Sequence, residues 1–204
     1  MIITEMVPVG KTRTKVWTDY GESFVLSNRE ILQYGICLGK ELPDAVRQEI
    51  WENLFHSAIR KCGELLKNMD YTEKSLRAKL LQKGYPEEIV SRAVDSMKRA
   101  HYVDDVRYAQ NYLQSHISGR SILKIRMELK ARGISDEILE NSFSKWEEEN
   151  EIYAAEKERE QIRVLLRKRH YDAEQAGWQE RQKVTAFLMR KGYSSERIHE
   201  VLHP

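Results

Sequence analysis

Three groupings in this 204-residue chain have residue types that could do chemistry. Asp104 and Asp105 are adjacent carboxylates of the kind that hold a metal ion or share a proton. His199 and His203 stand four apart, so two imidazoles on one helix face could reach a zinc ion. Lys74, Arg77, Arg120, Lys124, Arg126 and Lys130 could bind phosphates or an acidic protein groove. The first two groupings lack a third ligand and have simpler accounts. An N-cap followed by a first-turn acid explains the aspartates, and surface exposure near the chain end explains the histidines. Cys37 and Cys62 have no partner motif and read as isolated buried thiols of a reducing cytosol. The ten glycines form no phosphate-binding loop, and neither a Gly-x-Ser-x-Gly turn nor a Cys–His signature occurs. The expectation is therefore no enzyme, no metal and no cofactor, which leaves a binding surface as the function.

The cations recur with spacing. On a helix predicted over 121–132, Arg126 and Lys130 are i,i+4 neighbours on one edge, with Arg120 in the turn before. Arg77 falls at the position equivalent to Arg126 in an earlier copy of the same pattern, and Lys74 lies one turn back. They predict a basic stripe along consecutive modules, against the plainer reading of a solvated face. Lys83, Arg132 and Lys191 each precede a glycine and suit the negative end of a helix dipole.

The elements that carry these residues are written in repeats. Aligned on Gly84 and Gly133, each copy has an apolar residue eight before (Leu76, Ile125) and leucine four before (Leu80, Leu129). A basic residue stands one before, and an apolar one six after (Val90, Leu139). A weaker third copy runs through Val184, Leu188, Gly192, Ile198 and Leu202. Apolar residues at i and i+4 make one helix face. Thr72 and Ser121 can cap the first turn, and each glycine supplies the left-handed residue that ends the helix. Each copy thus reads as helix, glycine turn, helix, and the period signals a modular array.

Taken in order, residues 1 to about 26 are short β-prone runs, read as a small N-terminal β-hairpin or meander, followed by a short helix after Ser27-Asn28. Helices are predicted at 43–69, 72–83, 87–99, 104–117, 121–132, 135–147, 150–170, 178–191 and 194–203. On the first, Val46, Ile50, Leu54, Ala58, Cys62 and Leu65 are spaced for one buried stripe. The fold class is all-α, with three tandem three-helix modules at 43–100, 101–148 and 149–204 in an elongated curved array. The segment 1–42 is a small β appendage with its short helix.

The chain is 41% hydrophobic and 32% charged with net charge +2, enough for a folded core and no polycation. The positive excess falls on 71–147, which carries fourteen basic against eleven acidic side chains. No apolar run approaches the ~18 residues of a membrane span, and the start lacks a signal-peptide pattern, so a soluble cytoplasmic protein is expected.

The motif words are more specific. Asp104-Asp105-x-x-Tyr108-Ala109, then Gly119, then Ile125-x-x-Glu128-Leu129-x-x-Arg132-Gly133-Ile134, with Glu73-Lys74-x-Leu76-x-x-x-Leu80 upstream, closely resemble the RecX family. The Gly39-Lys40-Glu41-Leu42 segment resembles members with an extended N-terminus. The resemblance is strongest over 71–143 and thin in the third repeat, with departures at Tyr71 and Ser75. It implies an all-helical crescent that binds the filament of the RecA recombinase in its helical groove. There it would limit strand exchange or filament growth, as a non-enzymatic, monomeric regulator of recombination and the DNA-damage response. Single-stranded DNA, or DNA within the filament, would be a weak second partner. The rival reading is a direct DNA-binding protein of helix-turn-helix type. Against it, the second helices (87–99, 135–147) are mixed or acidic where a recognition helix would be rich in Arg and Asn.

Overall fold

The computed structural model describes residues 1–173 and 175–202. The chain divides into two compact units, Met1–Asp104 and Asp105–Pro204.

The first unit opens with three antiparallel strands, β1 (Ile3–Val9), β2 (Arg13–Thr18) and β3 (Ser23–Ser27), paired in that order. Alternation at period two turns Val16 and Thr18 of β2, and Phe24 and Leu26 of β3, to the buried face. Ser27 then caps the short helix α1 (Asn28–Gln33) in a reciprocal capping box with Glu30. Helices α2 (Asp44–Leu66), α3 (Glu73–Gln82) and α4 (Glu87–Arg99) follow. The expected α2 stripe is buried at Ile50, Leu54, Ala58 and Cys62, while Val46 and Leu65 pack at its margin. Cys37, expected to be buried, is instead exposed in the turn region after α1. Trp51 joins it, meeting the Phe24 ring edge-on at 5.1 Å and donating its indole N–H to Glu88 at 2.8 Å.

The N-terminal sheet is thus present as expected, and it shares one continuous core with the helices of its unit. The reason is physical. Three short strands have one apolar face and no second layer of their own, so the face must be covered by a neighbour.

The second unit contains α5 (Asp105–His116), α6 (Ile122–Ala131), α7 (Asp136–Lys168), α8 (Trp178–Arg190) and α9 (Ser195–Leu202). The two helices expected at 135–147 and 150–170 form one element whose helical geometry breaks at Asn150 (φ −135°, ψ 23°). The Asn150 amide donates to the Trp146 carbonyl at 2.9 Å, which satisfies part of that break. The first half of α7 packs with α5 and α6 around Ile125, Leu129, Leu139 and Phe143. The second half packs with α8 and α9 around Ile162, Val184, Leu188 and Ile198. Position 203 of the expected last helix, with its His203, lies outside the described residues.

The repeat glycines behave alike. Gly84, Gly133 and Gly192 have φ of 88°, 93° and 92°. The N–H of the residue after each glycine reaches back to the carbonyl of Leu80, Leu129 or Leu188, closing a Schellman turn at the helix end. Thr72 and Ser121 cap as expected, accepting from the Ser75 and Lys124 N–H groups. The third copy has Gly177 at the N-cap, without a side-chain bond, which accounts for its weaker pattern.

Candidate functional site

Ser121, 1% exposed, does two jobs at the start of α6. Its hydroxyl oxygen accepts from the Lys124 N–H at 3.3 Å and its O–H donates to the Lys191 carbonyl at the end of α8, 2.8 Å away. An N-cap legible in the sequence is therefore also a tie between two modules, and it satisfies a carbonyl that the α8 terminus leaves over. Together with the hydrogen bonds made by Gln161, the tie gathers three segments: residues 118–124 at the start of α6, the second half of α7, and the end of α8.

Between them lies a cleft of about 720 Å³. Its floor includes Val164, Leu165 and Phe187, and its rim carries Arg120, Lys124, Lys157, Lys168, Arg190 and Lys191. The one carboxylate in the lining, Glu160, is engaged by Arg167 at 2.7 Å and Arg163 at 3.8 Å. These cations hold its carboxyl below the usual range, chiefly through the Arg167 hydrogen bond. Among the described residues no carboxylate lies within ion-pair distance of Lys157, Lys168, Arg190 or Lys191. Lys157 still feels Glu160 electrostatically and lies 5.3 Å from the Tyr153 ring centre. Lys168, Arg190 and Lys191 keep their charge uncompensated among the described residues, beside an apolar floor, which favours an anionic partner.

The back of the cleft is rigid. Gln161 is buried, donating to the Ile117 carbonyl at 2.6 Å and accepting from the Tyr193 hydroxyl at 2.9 Å. Burial pushes that hydroxyl up to about 12, so it stays protonated and a donor.

The cations singled out from the sequence divide between surroundings. Arg120 and Lys124 line the cleft. Arg120 also bonds to the Tyr112 hydroxyl at 2.8 Å and to Glu128, and Lys124 lies 3.9 Å from that same carboxylate. Burial raises Glu128, but hydrogen bonds from Tyr112 and Arg120 outweigh it and keep the carboxyl low. Arg126 lies elsewhere on α6, paired to Glu140 and stacked 4.6 Å over the Phe143 ring. Lys130 is paired to Asp136 at 2.7 Å. Arg77, the repeat equivalent of Arg126, is held by Glu73 at 3.2 Å, Glu87 at 3.4 Å and the Ser91 hydroxyl at 2.9 Å. Lys74 is exposed on α3. At both equivalent positions the arginine therefore ties the first helix of a pair to the second.

Lys157, Lys168, Arg190 and Lys191 escaped the sequence reading. Lys168 stands in the run Arg167-Lys168-Arg169 at the end of a helix and Lys191 precedes a glycine, and in the sequence alone the helix dipole accounts for both. The signal that could have found them is the 118–121 turn, whose exposed Gly119 and capping Ser121 sit at the start of the cleft lining. Among the described residues no three His, Cys, Asp or Glu side chains gather as metal ligands. No helix there is long and apolar enough to cross a membrane.

Helix–glycine–helix pairs, each built with a leading helix into a three-helix module, define a class of tandem three-helix-repeat proteins. Three family models match in order: the first three-helix domain of RecX over 58–97, the second over 104–142 and the third over 156–202. The regulatory protein RecX of Clostridium acetobutylicum is 31% identical over 195 residues, covering 94% of this chain and 89% of that protein. Its counterpart from Caldanaerobacter subterraneus subsp. tengcongensis is 29% identical and aligns over 100% of this chain and 99% of its own. A crystal structure of regulatory protein RecX superposes with a TM-score of 0.65 at 22% identity, covering 98% of both chains. That of RecX from Lactobacillus salivarius gives 0.61 at 18% identity, covering 74% of this chain and 96% of that one, and both show the shared fold. The chain belongs to the RecX family of regulatory proteins.

Proposed function

We propose that this protein is a non-enzymatic modulator of the RecA recombinase, acting as an inhibitor. It binds as a monomer in the cytoplasm along the groove of the RecA–DNA filament and limits strand exchange or filament growth, within recombination and the DNA-damage response. The observation that carries the reading is the cation-rimmed cleft on the last two modules of a RecX-family chain, where Lys168, Arg190 and Lys191 have no carboxylate partner among the described residues. Repeated modules offer several weak contacts to a polymer, and such contacts gain avidity together. Lys74, Arg77, Arg126 and Lys130 remain proposed contacts alongside Arg120 and Lys124.

The test is co-sedimentation with RecA assembled on single-stranded DNA, with and without nucleotide, followed by a strand-exchange assay. Nucleotide-dependent co-sedimentation with slowed exchange supports the reading, and absence of both rejects it. Direct DNA binding by a helix-turn-helix pair is the rival. The second helices speak against it, because Glu87, Glu88 and Glu140 there accept from Arg77, Trp51 and Arg126 of the protein itself. Tight, sequence-specific binding of free duplex DNA would restore the rival.

A further inference from the structure

The cleft between residues 118–124, α7 and α8 has a composition that narrows what it can hold. A nucleic-acid strand bound without sequence preference needs cations for its phosphates and open aromatic faces for its bases. The cleft has the cations but not the faces. Phe187 lies under the Arg169 guanidinium at 4.2 Å from the ring centre, with the Lys191 ammonium at 5.7 Å. Tyr193 is 6% exposed and its hydroxyl is spent on Gln161. What stays open is aliphatic: Val164 and Leu165, beneath exposed Lys168, Arg190 and Lys191.

We infer that the cleft takes an acidic segment of a partner protein, one that seats an apolar side chain on the Val164–Leu165 floor while its carboxylates meet Lys157, Lys168, Arg190 and Lys191. Charge complementarity selects the segment, and the apolar anchor supplies desolvated contact that a phosphate backbone cannot. The concavity is within the few hundred to a thousand Å³ typical of ligand sites, wide enough for a side chain to enter rather than lie across. The inference rests on the reading of this protein as a filament-binding regulator, and assigns the cleft to a protein surface of the filament rather than to its DNA.

The probe is a short fluorescent peptide of repeated Glu-Glu-Leu-Glu blocks, compared with the same peptide carrying alanine for leucine and with oligo(dT) of equal charge. The variant is Lys168→Glu with Arg190→Glu. Both side chains are exposed, and neither forms a hydrogen bond or ion pair among the described residues, so the fold should survive. Thermal unfolding verifies this. Anisotropy should show the leucine peptide bound, the alanine peptide and oligo(dT) weaker, and the variant's Kd raised about tenfold or more. Equal binding by the variant, equal binding of the alanine peptide, or displacement of the peptide by oligo(dT) would each overturn the assignment. Co-sedimentation with RecA filaments separates the two readings. If the unaltered protein binds the peptide but no filament, the functional reading falls and the cleft stands. If the variant loses the peptide yet co-sediments normally, the cleft is not the filament contact.

Discussion

The Tyr193 hydroxyl donates to the Gln161 side-chain oxygen at 2.9 Å, and Gln161 passes the connection on to the Ile117 carbonyl at 2.6 Å. Three buried polar groups from the turn after α8, from α7 and from the end of α5 thus satisfy one another, and the chain of bonds joins the second module to the third. An unmet partner in such a network costs roughly 1–3 kcal/mol. Gln161→Leu orphans two groups and Tyr193→Phe only one. Urea unfolding should therefore find the leucine variant the less stable of the two, and equal stabilities would mean the network contributes little.

The same tyrosine sets an alkaline limit. Burial moves its hydroxyl from 10.0 to about 12. A folded pKa above the unfolded one gives a contribution that is complete below pH ~10 and lost as pH rises towards ~12, at most about 2–3 kcal/mol. Cys62, pushed by burial from 9.0 to about 11, adds the same sign of dependence in the first unit, starting lower, above pH ~9. Denaturation followed over that window should steepen above pH ~10, and Tyr193→Phe should flatten the part due to the second unit.

Gly84 and Gly192 carry a burden beyond their left-handed φ. A Cβ on Gly84 would stand 2.2 Å from the Val25 Cγ2 of β3, and one on Gly192 would stand 2.6 Å from the Ser121 hydroxyl oxygen. Gly35, also left-handed at φ 63°, has open space around it. Gly35→Ala should cost only the conformational penalty, about 1–2 kcal/mol. Gly84→Ala should cost clearly more, and Val25→Ala in the same chain should recover part of the difference. A double-mutant cycle in chemical denaturation measures the coupling.

His170 occupies the left-handed position after α7 at φ 52°, with the Tyr171 N–H closing the turn on Leu166. Glycine there removes the Cβ penalty and adds chain entropy to the unfolded state. The net expectation for His170→Gly is a gain of up to ~1 kcal/mol, read as a higher Tm.

Arg126→Glu with Lys130→Glu, a direct test of the basic stripe, does more than alter a surface. It places a carboxylate opposite Glu140 and removes the guanidinium from the Phe143 ring. A stability loss of about 1–2 kcal/mol is expected, visible in thermal unfolding. Lys168→Glu with Arg190→Glu should show no such loss, so comparing inhibition by the two variants separates binding from folding.

Much of this was readable from residues close in sequence. The capping roles of Thr72 and Ser121, the glycine turns and most of the α2 stripe follow from backbone groups that must be paired within a few positions. Trp51 was missed because a helix pattern cannot show a sheet above it. The merging of two expected helices into α7 is not legible along the chain, because the run Glu147-Glu148-Glu149 has the acidic composition of a new helix start, whereas Asn150 repairs the break from within.

By itself, the sequence determined the modules: periodic apolar residues and left-handed glycines act through local bonds in all three copies, and side-chain caps do so in the first two. Only the tertiary structure decided which surface the modules share. The Ser121–Lys191 bond spans seventy positions, and it collects lysines and arginines that look like helix-end charges when read along the chain. Their common field arises from distance in space, which a repeat pattern, being local, does not encode.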